Sequence, residues 1–214
     1  MDRSARRCSL VVLALVGVVA GCSGGGSSGG GTPAAGGGTT PTVSTSSGGP
    51  LFDSDFSPVC EGATQSRATP YDNTAATHKA FYFETFDQDL INESDTDLPS
   101  DWTIQYSASD PTAFAGIDIV ACGVRTSSKF VKTCTGYKDS DGKELGTLDL
   151  YTAKYTLSVH EATTGKTLSS TNVSATDTSC PSFASFDSGE TKATQYDSIP
   201  KATVVAALKP FVQP

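Results

Sequence analysis

Two histidines, one methionine and one tryptophan are all that the 214 residues hold of those types, and aromatic side chains make up only 8%. A metal centre built on His78 and His160 needs a third ligand, and no carboxylate or thiol stands at ligand spacing from either. None of the six cysteines forms a C-x-x-C pair, which removes dithiol redox chemistry and zinc ribbons. From Leu51 onward there is no G-x-S-x-G elbow, no H-E-x-x-H and no phosphate-binding P-loop. Long apolar runs are missing too. The longest, residues 10–20, would as a helix cover only about half of a bilayer core. The sequence therefore marks no catalytic residue, no metal ligand and no cofactor.

What the amino terminus does hold is ordered. Arg3, Arg6 and Arg7 precede the apolar run, and small residues follow it, which is the arrangement of a secretory signal. Val19-Ala20-Gly21-Cys22 resembles the lipobox of bacterial lipoproteins: aliphatic, small, small, cysteine. The resemblance implies cleavage before Cys22 and a diacylglyceryl thioether on its sulfur, with a further acyl chain on the new amino terminus. One acyl chain holds a protein only marginally on a membrane, whereas two or three hold it stably. Residues 1–21 are thus expected to be a signal peptide, and Cys22 a lipid anchor on the extracytoplasmic face of the cell membrane.

Residues 23–50 contain no charge and are almost wholly Gly, Ser, Thr and Pro. Such a segment cannot bury enough apolar surface to offset its ordering entropy. Together with Cys22 it forms the expected linker, 22–50. Its uncharged 28 residues would span roughly 30 Å as a flexible coil. The remainder, 51–214, has the size of a single domain with a core of its own.

Basic residues are scarce beyond the signal. Of 15 basic and 23 acidic residues, the first 21 positions hold three Arg and Asp2, so 12 and 22 remain, a net charge of −10. With no Lys/Arg cluster left, a nucleic-acid partner is excluded. The lipid rather than surface charge must then hold the protein on an anionic membrane. The acidic stretch "FDQDLINESDTDL" (86–98) carries five carboxylates and no cation, and is expected to be a solvated loop. "DSDG" at 139–142 lacks the glutamate that a calcium loop requires at its twelfth position, where Leu148 stands, so its Asp and Gly suit a turn.

Alternation in "LYTAKYTLSVHE" (150–161) predicts a strand with Tyr151, Ala153, Tyr155, Leu157 and Val159 on the core face. His160 falls on the other, solvent-facing side. "ATTGK" turns the chain into a returning strand over 167–174. A second hairpin is expected over 117–135, turning at Ser127-Ser128. Shorter strands are expected at 77–85 and 102–106, and a helix begins at Pro200 and stops at Pro210, with Val204, Val205 and Leu208 on the sheet. The fold class is mainly β: an antiparallel sheet or sandwich built from hairpins with one short C-terminal helix, α+β being the second choice.

Four cysteines fall in the domain. A hairpin centred on Ser128 places Cys122 opposite Cys134 and predicts that bridge, leaving Cys60 for Cys180.

The succession "LPSDW", "IDIVACGVRTSSKFVKTCTGY", "LYTAKYTLSVHEATTGKTLSSTNVSA", Cys180-Pro181 and "ALKPFV" resembles an uncharacterised domain of exported and membrane-attached bacterial proteins, over about 98–214. The resemblance implies an exported, disulfide-bearing domain and transfers no catalytic residue. The function expected is a surface lipoprotein displaying a small module that binds a protein or glycan of the envelope. The alternatives are a structural envelope component without a ligand, or a small hydrolase acting through acidic residues or His160.

Overall fold

The computed structural model describes residues 49–214 except 108 and 111, so the signal, Cys22 and nearly all of the linker lie outside the described residues. Among the described residues, no helix is long and apolar enough to cross a membrane.

The domain is mainly β. A mixed sheet contains β1 (Ala80–Phe86), β2 (Asp89–Asn92), β3 (Ile119–Lys138), β4 (Glu144–Glu161), β5 (Thr167–Ala175) and β6 (Lys192–Tyr196). A short helix, α1 (Ser94–Asp97), follows β2, and α2 (Lys201–Val212) closes the chain. The strand order is β2-β1-β3-β4-β5, and β6 also pairs with β4, next to residues 147–151. Two of the pairings, β1 with β3 and β4 with β6, are parallel, where hairpins alone would have made all of them antiparallel.

Both faces of the central strands are buried where they pair, because Ala80 to Phe83 of β1 and Ile119 to Cys122 of β3 are apolar at successive positions. Ala80, Tyr82, Ile119 and Ala121 face a core with Tyr155, Leu157, Val159 and the α2 residues Val204 and Leu208. Phe81, Phe83 and Val120 face the opposite core, under Leu51, Phe56 and Val59 from two 3₁₀ turns, Asp53–Asp55 and Ser57–Glu61. Each fully buried Phe or Leu contributes about 1.5–3 kcal/mol. The sheet is thus the middle of three layers. A third, smaller cluster joins Cys134, Tyr137, Leu148 and Leu150 to Phe186 and Ala193 at the far end of the β3–β4 ribbon.

Several sequence expectations change. The chain does not turn at Ser127-Ser128; these residues pair with Lys154 and Ala153 inside one 20-residue strand. The turn lies at "DSDG", where Asp139 Oδ1 accepts from the amides of Asp141 and Lys143 and Gly142 takes a positive φ of 79°. Cys122 and Cys134 therefore sit twelve residues apart on one strand, roughly 40 Å at 3.3 Å per residue, and cannot bridge. The disulfides are Cys60–Cys122 and Cys134–Cys180, not Cys122–Cys134 and Cys60–Cys180. The acidic stretch is not a loop throughout: it folds into edge strand β2 and α1. Residues 102–106 form no strand, although Trp102 is buried. Pro210 does not stop α2, which continues to Val212; lacking an N–H, Pro210 gives up one hydrogen bond near a helix end that packs tightly anyway.

The core face of 150–161 is as expected at Ala153, Tyr155, Leu157 and Val159, and β5 returns after the turn, but the other face is not wholly solvated, since Ser158 and His160 are buried as well. Gly165 in that turn has φ 68°, and a Cβ there would lie 2.5 Å from the Ala63 carbonyl oxygen, so glycine alone fits.

Candidate binding groove

The β1–β2 hairpin turns at Asp87-Gln88, with Asp87 in the left-handed region at φ 49°. Arg125, on β3 just beyond the last β1–β3 pair, reaches that turn. Its backbone N–H donates to Thr85 Oγ1 at 3.0 Å, and its Nη2 donates to the Asp87 carbonyl. The guanidinium carbon stands 3.5 Å from the ring centre of Tyr196 at the end of β6, a close cation–π pair. Nη1 is buried and has no hydrogen-bond partner among the described residues.

A cavity of about 290 Å³ opens beside this stack. Phe86, Asp87, Leu148, Phe183, Ala184, Ser185, Gln195 and Tyr196 are among the residues that line it. A second cleft, about 520 Å³, shares Thr85, Asp87, Arg125 and Tyr196 with it and extends along Val124–Ser128. A third, about 190 Å³, shares Thr85, Phe86 and Ser198 and reaches Glu84, Glu93 and Asp97. Phe86 is 62% exposed and Phe183 79%, although such residues usually lie inside. Two exposed phenyl rings beside one guanidinium, with the Asp87 carboxylate on the same rim, suit a ligand that offers an apolar group and a hydrogen-bonding head for Arg125.

Neither histidine lies on the surface: His78 is 2% exposed, and His160, expected on the solvent-facing side of its strand, 7%. The parallel register Ala80↔Ile119 brings the preceding residues together, so His78 Nδ1 meets Asp118 Oδ2 at 2.5 Å. Asp118 Oδ1 accepts the Lys79 amide, and the His78 amide donates to the Val212 carbonyl, tying the strand to α2. His160 Nε2 lies 2.8 Å from Ser158 Oγ, and Nδ1 faces the Gly165 carbonyl at 3.3 Å. Burial holds the His160 pKa below its ordinary value. A serine beside a histidine is a nucleophile–base geometry, but the described residues give His160 no carboxylate partner to orient it. Both side chains are also nearly inaccessible, Ser158 at 9%.

Glu84, 4% exposed, accepts from the Tyr82 hydroxyl and from the Ile199 amide at 3.2 Å; burial raises its pKa from the ordinary glutamate value despite both bonds. Gly123 leaves the room for this arrangement, since a Cβ there would be 2.9 Å from Tyr82 Oη.

Of the residues singled out in the sequence, Cys22 lies outside the described residues, and Cys60, Cys122, Cys134 and Cys180 are structural bridges. Arg125, Phe86, Phe183 and Tyr196 were not singled out. Two signals could have found them. Arg125 is one of two arginines after residue 21, and Phe183 stands in a polar stretch with no apolar periodicity to bury it. Comparison with protein families, with curated proteins and with solved structures found no match to this chain.

Proposed function

We propose that this chain is a lipid-anchored envelope protein whose domain binds a partner protein through the groove between Phe86 and Phe183. The carrying observation is the groove itself: two exposed phenyl rings, one at the end of β1 and one in the segment before β6, line the same cavity as Arg125, which stacks against Tyr196. Leaving two phenylalanines in water is unfavourable in the free domain and is offset when a partner covers them. A partner segment would place an apolar side chain between the rings and direct a hydrogen-bonding head toward Arg125. The membrane location rests on Val19-Ala20-Gly21-Cys22 and its basic and apolar approach.

Two measurements test the reading. Cys22→Ala is expected to move the protein from the membrane fraction to the soluble or secreted one; undiminished retention rejects the anchor. A photo-crosslinking benzoylphenylalanine at position 183 in living cells is expected to trap a discrete protein adduct that disappears with Arg125→Gln and Phe86→Ser. The same probe at Lys209, exposed on α2, is expected to trap none. Equal adducts from both positions, or none from 183, reject the groove as an interface.

A further inference from the structure

On the opposite face of edge strand β2 lies a separate hollow. Side chains alternate along β2, so Ile91 joins the cleft that reaches Glu84, while Asn92 turns the other way. The hollow, about 360 Å³, has aromatic walls from Phe52, Phe81, Tyr106 and Phe114. Phe52 and Tyr106 lie nearly parallel with centres 6.0 Å apart, Tyr106 meets Phe114 at 5.9 Å, and Phe81 meets Phe114 edge-on at 5.0 Å. Phe81 and Phe114 are buried, whereas Phe52 and Tyr106 are 44% and 54% exposed.

The remaining polar walls include two carboxylates, Asp53 and Asp95, and no basic side chain. Each carboxylate has a carboxamide beside it. Gln105 Nε2 donates to Asp95 Oδ1 at 2.6 Å, and Asn92 Nδ2 lies 3.4 Å from Asp53 Oδ2. An amide orients a carboxylate without neutralising it, and among the described residues neither Asp53 nor Asp95 takes part in an ion pair.

From this combination we infer that the hollow is a binding site for an organic ammonium ion. The faces of aromatic rings carry negative potential and attract a cation that sheds water easily. The two carboxylates add full charge across the same hollow, and the net −10 of the chain beyond the signal draws cations toward it. A hard metal ion fits poorly, because it needs six or more oxygen ligands and, among the described residues, no three carboxylate, imidazole or thiol side chains stand together to hold one. An anion is repelled. At ~30 Å³ per water the hollow holds on the order of a dozen waters, room for a trimethylammonium group and the chain attached to it. This site shares no lining residue with the groove described above, so it stands whether or not that groove binds a partner.

Choline and N-acetyl-lysine amide, titrated separately into the full chain at low salt, probe the two sources of such a cation, a free quaternary amine and a basic side chain. The control is 3,3-dimethylbutanol, the uncharged carbon isostere of choline. Binding is read by calorimetry, and the side-chain amide NMR signals of Asn92 and Gln105 report where it occurs. At least one of the two cations is expected to bind with both amide signals shifting, and the isostere at least tenfold more weakly. The pair Asp53→Asn and Asp95→Asn, and separately Tyr106→Ala, are each expected to weaken binding about tenfold or more while leaving the melting temperature within a few degrees, since these side chains are exposed. Equal binding of the isostere overturns the inference, because the hollow would then be merely apolar. Absence of amide shifts with either cation at tens of millimolar, or full binding by the Asp→Asn pair, overturns it as well.

Discussion

Burial shapes the ionisation of His160 more than any partner does, since among the described residues its ring nitrogens meet only the hydroxyls of Ser158 and Thr167 and the Gly165 carbonyl. Desolvation lowers its pKa in the folded state, so the unfolded chain takes up the proton first as pH falls. Its contribution to stability is therefore complete above the ordinary histidine value near 6.5 and is lost on acidification below it. Glu84 works in the opposite direction: its raised pKa makes its contribution complete below about 4.3 and diminishes it as pH rises through the folded value. His160→Asn separates the two. Urea unfolding at pH 7.5 and 5.5 is expected to show the wild type losing more stability than the variant over that interval. Equal losses would mean that the ring is hydrated and free to charge. Ser158 and His160 are also where a hydrolase would have been sought, and their cover by the 3₁₀ layer directs attention to the open groove instead.

Among the elements, α2 is the simplest to test. Its sequence spacing places Val204, Leu208 and Val212 along one stripe, and all three are buried against Tyr82, Ile119 and Tyr155 of the sheet. Leu208→Ala is expected to cost about 2–5 kcal/mol, the range for a buried leucine whose cavity cannot collapse. Lys209→Ala, one residue on and exposed, should stay within about 0.5 kcal/mol. Denaturant midpoints decide; equal, small effects would show that the helix does not pack on the sheet. The β3–β4 ribbon is less self-explanatory. Beyond Gly123, β3 leaves β1 and is paired on the described residues only by β4, with register shifts near Arg125, Phe130 and Cys134. Those irregularities and Lys129, Lys132 and Lys138 are devices that discourage another chain from adding to an open edge.

At the scale of the whole domain, two disulfides fasten the outer layers to the sheet. Cys60–Cys122 ties the 3₁₀ turns to the start of β3, and Cys134–Cys180 ties the segment before β6 to its far end. With sequence separations of 62 and 46, each is worth about 4 kcal/mol on the chain-entropy model, so loop length barely distinguishes them. Position does. Cys122 is fully buried, whereas Cys180 is exposed, so reductant is expected to open Cys134–Cys180 first. Timed reduction with peptide mapping checks both the pairing and the order. Prior opening of Cys60–Cys122 would show that the 3₁₀ layer lifts readily from the sheet. Cys134–Cys180 also sets the position of the loop bearing Phe183, three residues past the cysteine, so its loss should weaken partner crosslinking before it unfolds the domain.

The sequence by itself determined those features that depend on neighbours along the chain. Alternation over 150–161 specifies a strand with one core face, "ATTGK" a turn, and Pro200 followed by apolar residues a helix start, because each signal is complete within a dozen residues. The lipobox-like Val19 to Cys22 is legible for the same reason. Tertiary structure alone decided what joins distant segments. Ser127-Ser128 reads locally as a turn, yet the pairing with β4 keeps it extended and thereby reassigns every cysteine. The parallel β1–β3 register has no local signature, so it hid the His78–Asp118 contact. The groove and the aromatic hollow are assembled from residues tens of positions apart, such as Phe86, Arg125 and Phe183, or Phe52 and Tyr106. Their side chains carry no periodicity of their own. Only the folded sheet places them together.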